Sequence, residues 1–401
     1  MVVSGRPFGR TTGKSMKPTF VRCAAFLCFC FTITALAQQN MTVFEDLPAL
    51  VMSNDKMALT VLTEGGAMAQ IVLAEDKEKI NPLWNPYWIA RQAGLQRPAS
   101  VFRGHFLCLD GFGPSSNEER EAGLPFHGEA PTLPWQLRAH QKQASTQSAE
   151  FFVTLPLAQE TLTRTYHVVD GENIVWVDTA LTSLLAFDRP AFWGEHATVS
   201  APFLEPGKVA VDMSVSRSKT KAIPDQARPT RQLRSFVDFT WPMAPMVDGQ
   251  QFDLRTAPLK AGTTEHVTSL IDPARTLGFA TALHPEKRLL IGWVFRRSEY
   301  PWVQTWMSNP GPNRMTRGLE FSTQPFDLPR ADVLRHGPLF DTPVLRILPA
   351  KSTITSSFLM FYTSVPAGFL KVDDVQLAGG KLVIEDRANR KTITLTASRS
   401  L

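Results

Sequence analysis

Ile174-Val175-Trp176-Val177-Asp178 is a short apolar run, rich in β-branched and aromatic residues and bounded by turn residues. It is too short for a helix of its own and reads as a β-strand. The same reading extends outward in both directions. Upstream lie Ala58-Leu59-Thr60-Val61-Leu62, Ala69-Gln70-Ile71-Val72-Leu73, Glu150-Phe151-Phe152-Val153-Thr154 and Thr163-Arg164-Thr165-Tyr166-His167-Val168. Downstream lie Leu289-Leu290-Ile291-Gly292-Trp293-Val294 and Ser356-Ser357-Phe358-Leu359-Met360-Phe361-Tyr362. Long helical periodicity is almost absent. The 30 prolines and 24 glycines are scattered rather than clustered, which fits many turns within one β-domain better than two domains on a linker. The Thr-, Lys- and Arg-rich stretch Ser214–Arg234 reads as a long exposed loop. So many strands need sheet-on-sheet burial, and the expected fold class is all-β, a large two-layer antiparallel β-sandwich.

Residues 1–37 stand apart. They carry five basic residues, no acidic ones, and an apolar run from Cys23 to Ala37 that is short for a membrane span. Lys17 and Arg22 flank that run, and Ala35-Leu36-Ala37 offers a small-x-small cleavage site, so 1–37 is expected to be a signal peptide and 38–401 a single β-domain. A periplasmic or secreted protein follows. A retained N-terminal anchor is the alternative reading of the same run. Without the leader, 37 basic residues face 37 acidic ones. The basic pI therefore belongs to the leader, and the remaining chain makes no electrostatic case for nucleic acid or an anionic membrane as partner. Three of the four cysteines also leave, so Cys108 is alone and the fold must be held by its core rather than by a disulfide.

Three segments carry candidate chemistry: Gly123-Leu124-Pro125-Phe126-His127-Gly128-Glu129-Ala130, Phe192-Trp193-Gly194-Glu195-His196-Ala197-Thr198, and Arg317-Gly318-Leu319-Glu320-Phe321-Ser322-Thr323-Gln324-Pro325-Phe326. In this order the chain resembles the galactose mutarotase-like (aldose 1-epimerase) superfamily, a β-supersandwich. An early Gly65-Gly66 and the later Asn81-Pro82-Leu83-Trp84 agree with it. The resemblance implies interconversion of the α and β anomers of a free aldose, without cofactor. A base takes the C1 hydroxyl proton and an acid protonates the ring oxygen, so that the ring opens and recloses. It further implies Glu320 as general base, His196 as general acid and His127 as a second histidine near the ring oxygen. Arg103 matches the family's substrate arginine, and Asp238 or Asp248 its substrate aspartate. Gln324 completes the Glu320 segment. The spacing departs from the best-characterised branch, since three residues separate Glu320 from Gln324 and Phe326 separates Pro325 from Asp327.

Each site residue has a structural alternative. His127 beside Gly128 can cap a turn, and His196 near Trp193 can be a satisfied core histidine. Glu320 alternates with Leu319 and Phe321, so it is solvated if those two face the core and lines the concave side if they face away. Glu129 and Glu195 are either partners that orient the histidines or surface charges. Trp302 and Trp306 are candidate cleft walls for the apolar face of a sugar. The eight histidines show no metal-ligand spacing, and neither a phosphate loop nor a nucleophile elbow occurs. A small-molecule sugar is the expected partner. Two other functions fit the same residues: a non-catalytic carbohydrate-binding protein on this scaffold, and a glycan-cleaving enzyme using Glu195 and Glu320. Arg103, Arg296 and Arg297 leave an acidic sugar open. The closing stretch Asp373–Leu401 reads as one further strand pair.

Overall fold

The structure, a computed structural model, describes residues 41–401 apart from 99, 223–229, 257–259 and 312. The leader expected over 1–37 lies outside the described residues. Strand alternation sorts the chain into two large antiparallel sheets, of twelve and eight strands. The larger begins with four strands between Met41 and Leu73. It continues through His105–Leu109 and Trp193–Ser200 to Thr316–Gly318 and Glu320–Ser322, then Trp302–Asn309, Thr263–Ile271, Val215–Thr220 and Asp238–Phe239. The smaller one includes Glu160–Val169, Ile174–Ser183, Leu289–Arg296 and Thr353–Ser364. No described helix is long and apolar enough to cross a membrane.

One hydrophobic core lies between the sheets. Leu107, Trp193, Ala197, Val199 and Phe321 from the larger sheet meet Phe151, Val175, Val177, Ile291, Trp293 and Met360 from the smaller. The run Ile174–Val177 is apolar at every position because this end of its strand is buried on both faces. Val175 and Val177 enter the inter-sheet core, whereas Ile174 and Trp176 point outward and are covered by Val375, Leu382, Ile384 and Leu395. Those covering residues belong to the closing stretch. It is a three-stranded meander, Asp374–Ala378, Lys381–Asp386 and Lys391–Thr396, and not a single pair. The expected loop Ser214–Arg234 also needs correction. Its first part is the strand Val215–Thr220, paired with Thr263–Ile271, whose polar residues alternate so that Ser218 and Thr220 are buried while Arg217 faces out.

An ionic cluster lies within this core. Glu195 Oε1 accepts from Arg164 Nη2 at 2.5 Å and from Trp193 Nε1 at 3.0 Å, and Tyr300 Oη lies 3.3 Å away. Its other oxygen lies 3.0 Å from His105 Nε2. Trp293 Nε1–H donates to His105 Nδ1 at 3.1 Å, so the proton of a neutral His105 sits on Nε2 and is given to Glu195. Burial alone would raise the Glu195 carboxyl, but the Arg164 guanidinium and the His105 hydrogen bond outweigh it and hold it at about 2. Glu195 is thus an interior structural carboxylate, neither an orienting partner of His196 nor a surface charge.

Removing one partner of a buried pair leaves an uncompensated charge, so Arg164→Met should lower the unfolding free energy by about 3–5 kcal/mol. Urea denaturation measures this, and a loss below about 1 kcal/mol would show that Arg164 does not hold Glu195. The folded pKa is depressed, so this stabilisation is full above the ordinary value of 4.5 and is lost as pH falls toward 2.

Candidate functional site

Strand register assembles the site. On Trp193–Ser200, Trp193, Glu195, Ala197 and Val199 face the core, so Gly194, His196 and Thr198 face the opposite, concave side. His196 lies opposite Phe106 on one neighbour. On the other, Glu195 pairs with Phe321, which sets His196 beside Glu320. Glu320 pairs with Gln304, and Trp306, two residues on, pairs with His266. Phe106, His196, Glu320, Trp306 and His266 therefore form a row across the concave face. A cleft of roughly 450 Å³ stands over them, walled also by Trp84, Phe102, Phe126 and His127 and including Asp327 and Arg314.

At its centre His196 Nε2 lies 3.3 Å from Glu320 Oε1, and His196 Nδ1 is hydrogen-bonded to Thr198 Oγ1 at 2.8 Å. The imidazole stacks on Phe106 with ring centroids 4.3 Å apart, and Trp306 meets it edge-on at 6.0 Å. Gly318 makes room for the carboxyl, since a Cβ there would lie 2.1 Å from Glu320 Oε1. Glu320 is 2% exposed although Leu319 and Phe321 both face the core. Core-facing neighbours thus do not make Glu320 solvated, because the concave face is itself roofed by aromatic side chains.

His127 reaches the same cleft from a loop and is held by its backbone. It has φ 68° and is followed by Gly128 at φ 78°, where a Cβ would lie 1.9 Å from the Leu109 carbonyl oxygen. A non-glycine residue in this region carries backbone strain of order 1–3 kcal/mol. Gly113 answers it twice: its carbonyl accepts from the His127 N–H at 3.1 Å and its N–H donates to Nδ1 at 3.0 Å. The proton of the neutral ring is then on Nε2. Phe126 and Phe102 pack edge-on against the ring, and His196 lies 5.1 Å away.

Burial controls the proton affinities. It raises the Glu320 carboxyl well above its ordinary 4.5, helped by the negative charge of Asp327. It lowers His196 well below 6.5, helped by His127, and takes His127 down to about 3. Carboxyl and imidazole are thereby brought toward each other, the environment that suits an acid/base pair.

The structure separates the other expected site residues. Trp306 lines the cleft. Arg103 is paired with Glu64 at 2.9 Å and with the Val101 carbonyl, and lies outside the lining. Asp238 is half-exposed beside Lys219 and Arg217 on the edge strand, and Asp248 is in a turn, accepting from the Gln250 N–H. Trp302 is fully buried under Pro343, to whose carbonyl its Nε1 donates at 3.2 Å. Gln324 is buried behind the cleft and accepts from Thr323 Oγ1 at 2.7 Å. Glu129 accepts from the N–H groups of Leu157 and Ala158 and so fixes a loop rather than His127. Arg296 pairs with Glu299, and Arg297 donates to the Arg275 carbonyl. Sequence reading missed His266 and Asp327. The only signal was Asp327 following Pro325-Phe326, one residue beyond the family spacing. Among the described residues no cluster could hold a metal ion.

Comparison with solved structures agrees with this architecture. A candidate aldose 1-epimerase from Klebsiella pneumoniae is 13% identical with TM-score 0.56, over 79% of this chain and 80% of its own. A galactose mutarotase-like protein from Lactobacillus casei is 16% identical with TM-score 0.52, over 79% and 100%. A galactose mutarotase related enzyme from Lactobacillus acidophilus is 11% identical with TM-score 0.53, over 81% and 100%. The chain has the galactose mutarotase-like fold. No family model and no curated protein matches the sequence, so within this fold the chain is divergent.

Two tests follow for the cleft of this galactose mutarotase-like fold. Gly318→Ala should displace only the end of the Glu320 side chain, leaving thermal stability near wild type while separating Glu320 from His196 in a crystal structure; an unmoved carboxyl would refute the close fit. Glu320 has a raised folded pKa, so its stabilising contribution is full below pH 4.5 and is lost as pH rises through the folded value. Glu320→Gln, neutral throughout, should melt higher than wild type at about pH 8 and at the same temperature near pH 4. Equal melting at both would show that the carboxylate is not buried unpaired.

Proposed function

We propose that the protein interconverts the α and β anomers of a free aldose by acid/base ring opening in this cleft. The observation that carries the reading is the His196–Glu320 contact at 3.3 Å, with His127 beside it, at the floor of an aromatic-walled cleft. Ring opening moves one proton off the C1 hydroxyl and one onto the ring oxygen, and reclosure reverses both. The His196–Glu320 pair holds one proton: with it on His196 Nε2, the Glu320 carboxylate takes the C1 hydroxyl proton, the His196 imidazolium gives its own to the ring oxygen, and His127 donates a hydrogen bond from Nε2 to the oxygen on which charge develops. Trp84, Phe106 and Trp306 offer flat faces to the sugar's C–H surface. The basic-then-apolar segment ending at Ala37 supports export as the setting.

Hydrolysis through Glu195 and Glu320 has no support, since Glu195 lies in the inter-sheet core on the other face of the strand. Asp327, the other carboxylate in the cleft, is held by His266 and Lys221.

Polarimetry on freshly dissolved anomers across hexoses, pentoses and uronates tests the proposal. Acceleration should fall about 10²–10⁴-fold in Glu320→Gln. With Glu320 as base, kcat/KM should be lost as pH falls through a value above 4.5. Sugar binding without any acceleration would leave a binding protein in place of an isomerase.

A further inference from the structure

Anomer interconversion as proposed uses two histidines and one carboxyl, yet the cleft is also lined by His266 and Asp327. His266 is on Thr263–Ile271 and pairs with Trp306, so its side chain shares the concave face with Trp306 and Glu320. Its Nδ1 lies 2.7 Å from Asp327 Oδ1, and Lys221 Nζ lies 2.5 Å from the same oxygen. A carboxylate at that distance favours the imidazole proton on Nδ1 over Nε2. Nε2 is then a lone-pair acceptor. That atom is buried without a hydrogen-bond partner in a residue only 5% exposed, and a buried polar atom left unpaired in this way needs an explanation.

We propose that His266 Nε2 accepts a hydrogen bond from a hydroxyl group of the bound sugar, with Asp327 as the positioning residue that holds the ring in the accepting tautomer. The inference rests on the preceding reading that the cleft takes a free aldose. It adds selectivity: a hydroxyl satisfies Nε2, whereas a deoxy position, an O-methyl group or a carboxylate oxygen brings no proton to it. The charged groups facing the ring are Asp327, Lys221 and Arg231; burial together with the two cations keeps the ring neutral against the pull of Asp327. Lys221 fixes Asp327 from the other side, its backbone N–H donating to the His266 carbonyl at 3.0 Å. A strand pairing, an ion pair and a ring orientation therefore converge on one acceptor atom.

The test combines wild-type NMR with a binding cycle. Long-range ¹H–¹⁵N correlation should show His266 protonated on Nδ1, and Asp327→Asn should move the proton to Nε2. An Nε2–H tautomer in the wild type overturns the proposal. Binding of aldohexoses and of their monodeoxy analogues is then measured by ligand-observed NMR on wild type and His266→Leu. The substitution should weaken the parent sugar about tenfold, the scale of one hydrogen bond. One monodeoxy analogue should bind the wild type equally weakly and lose nothing more in His266→Leu, because the two changes remove the same contact. Asp327→Asn should reproduce the weakening with the ring still present. Additive losses for every analogue overturn the proposal. A wild type that binds aldoses in this pattern without accelerating mutarotation overturns only the function proposed above, and one that binds no aldose overturns both.

Discussion

The strand Trp193–Ser200 is buried along its whole length on both faces, and the rest of the molecule is arranged around that constraint. Its two ionisable side chains are neighbours in sequence and point in opposite directions. Glu195 enters the space between the sheets, where Arg164, His105 and Trp193 make a buried carboxylate tolerable. His196 faces the concave side, where its Nε2 lies 3.3 Å from the Glu320 carboxyl. One side is an electrostatic anchor with its hydrogen bonds filled. The other is a place where proton affinities have been displaced and left uncompensated.

That asymmetry is what a proton-transfer site requires. A carboxyl given several N–H donors would be a poor base, as Glu195 illustrates with its pKa near 2. Glu320 has its Oε1 buried without a hydrogen-bond partner, and burial moves it the other way. Sterically the arrangement depends on small residues at a few positions. Gly318 leaves space for the carboxyl, and Gly128 lets the loop pass the Leu109 carbonyl so that His127 can enter in a left-handed conformation.

Much of the fold was legible in the sequence because strand periodicity is a local signal. Ile174–Val177 read as a strand, but its second buried face depends on Asp374–Thr396, and nothing local says which sheet that meander will cover. Ser214–Arg234 looked like a loop because polar residues dominate it, while the alternation of Ser218 and Thr220 toward a packed face was hidden by their small polar side chains. In the cleft, His127, His196 and Glu320 were picked out through motif order; the row across the strands brings His196 and Glu320 together, and a loop adds His127. His266 and Asp327 were not found, since a contact between residues on different elements leaves no short-range pattern. Glu195 was misjudged for a related reason: a charged residue in an apolar strand does not reveal whether its partner lies across the core.

The proton itself is the most direct test of the idea that this cleft is a buried acid/base pair. Carboxyl ¹³C and imidazole ¹⁵N NMR titration of Glu320 and His196 in the wild-type protein should show Glu320 keeping its proton to a pH well above 4.5 and His196 staying neutral well below 6.5. If the two instead titrate at those ordinary values, as independent solvated groups would, the cleft is open to water and the pairing on which the catalytic reading stands is contradicted.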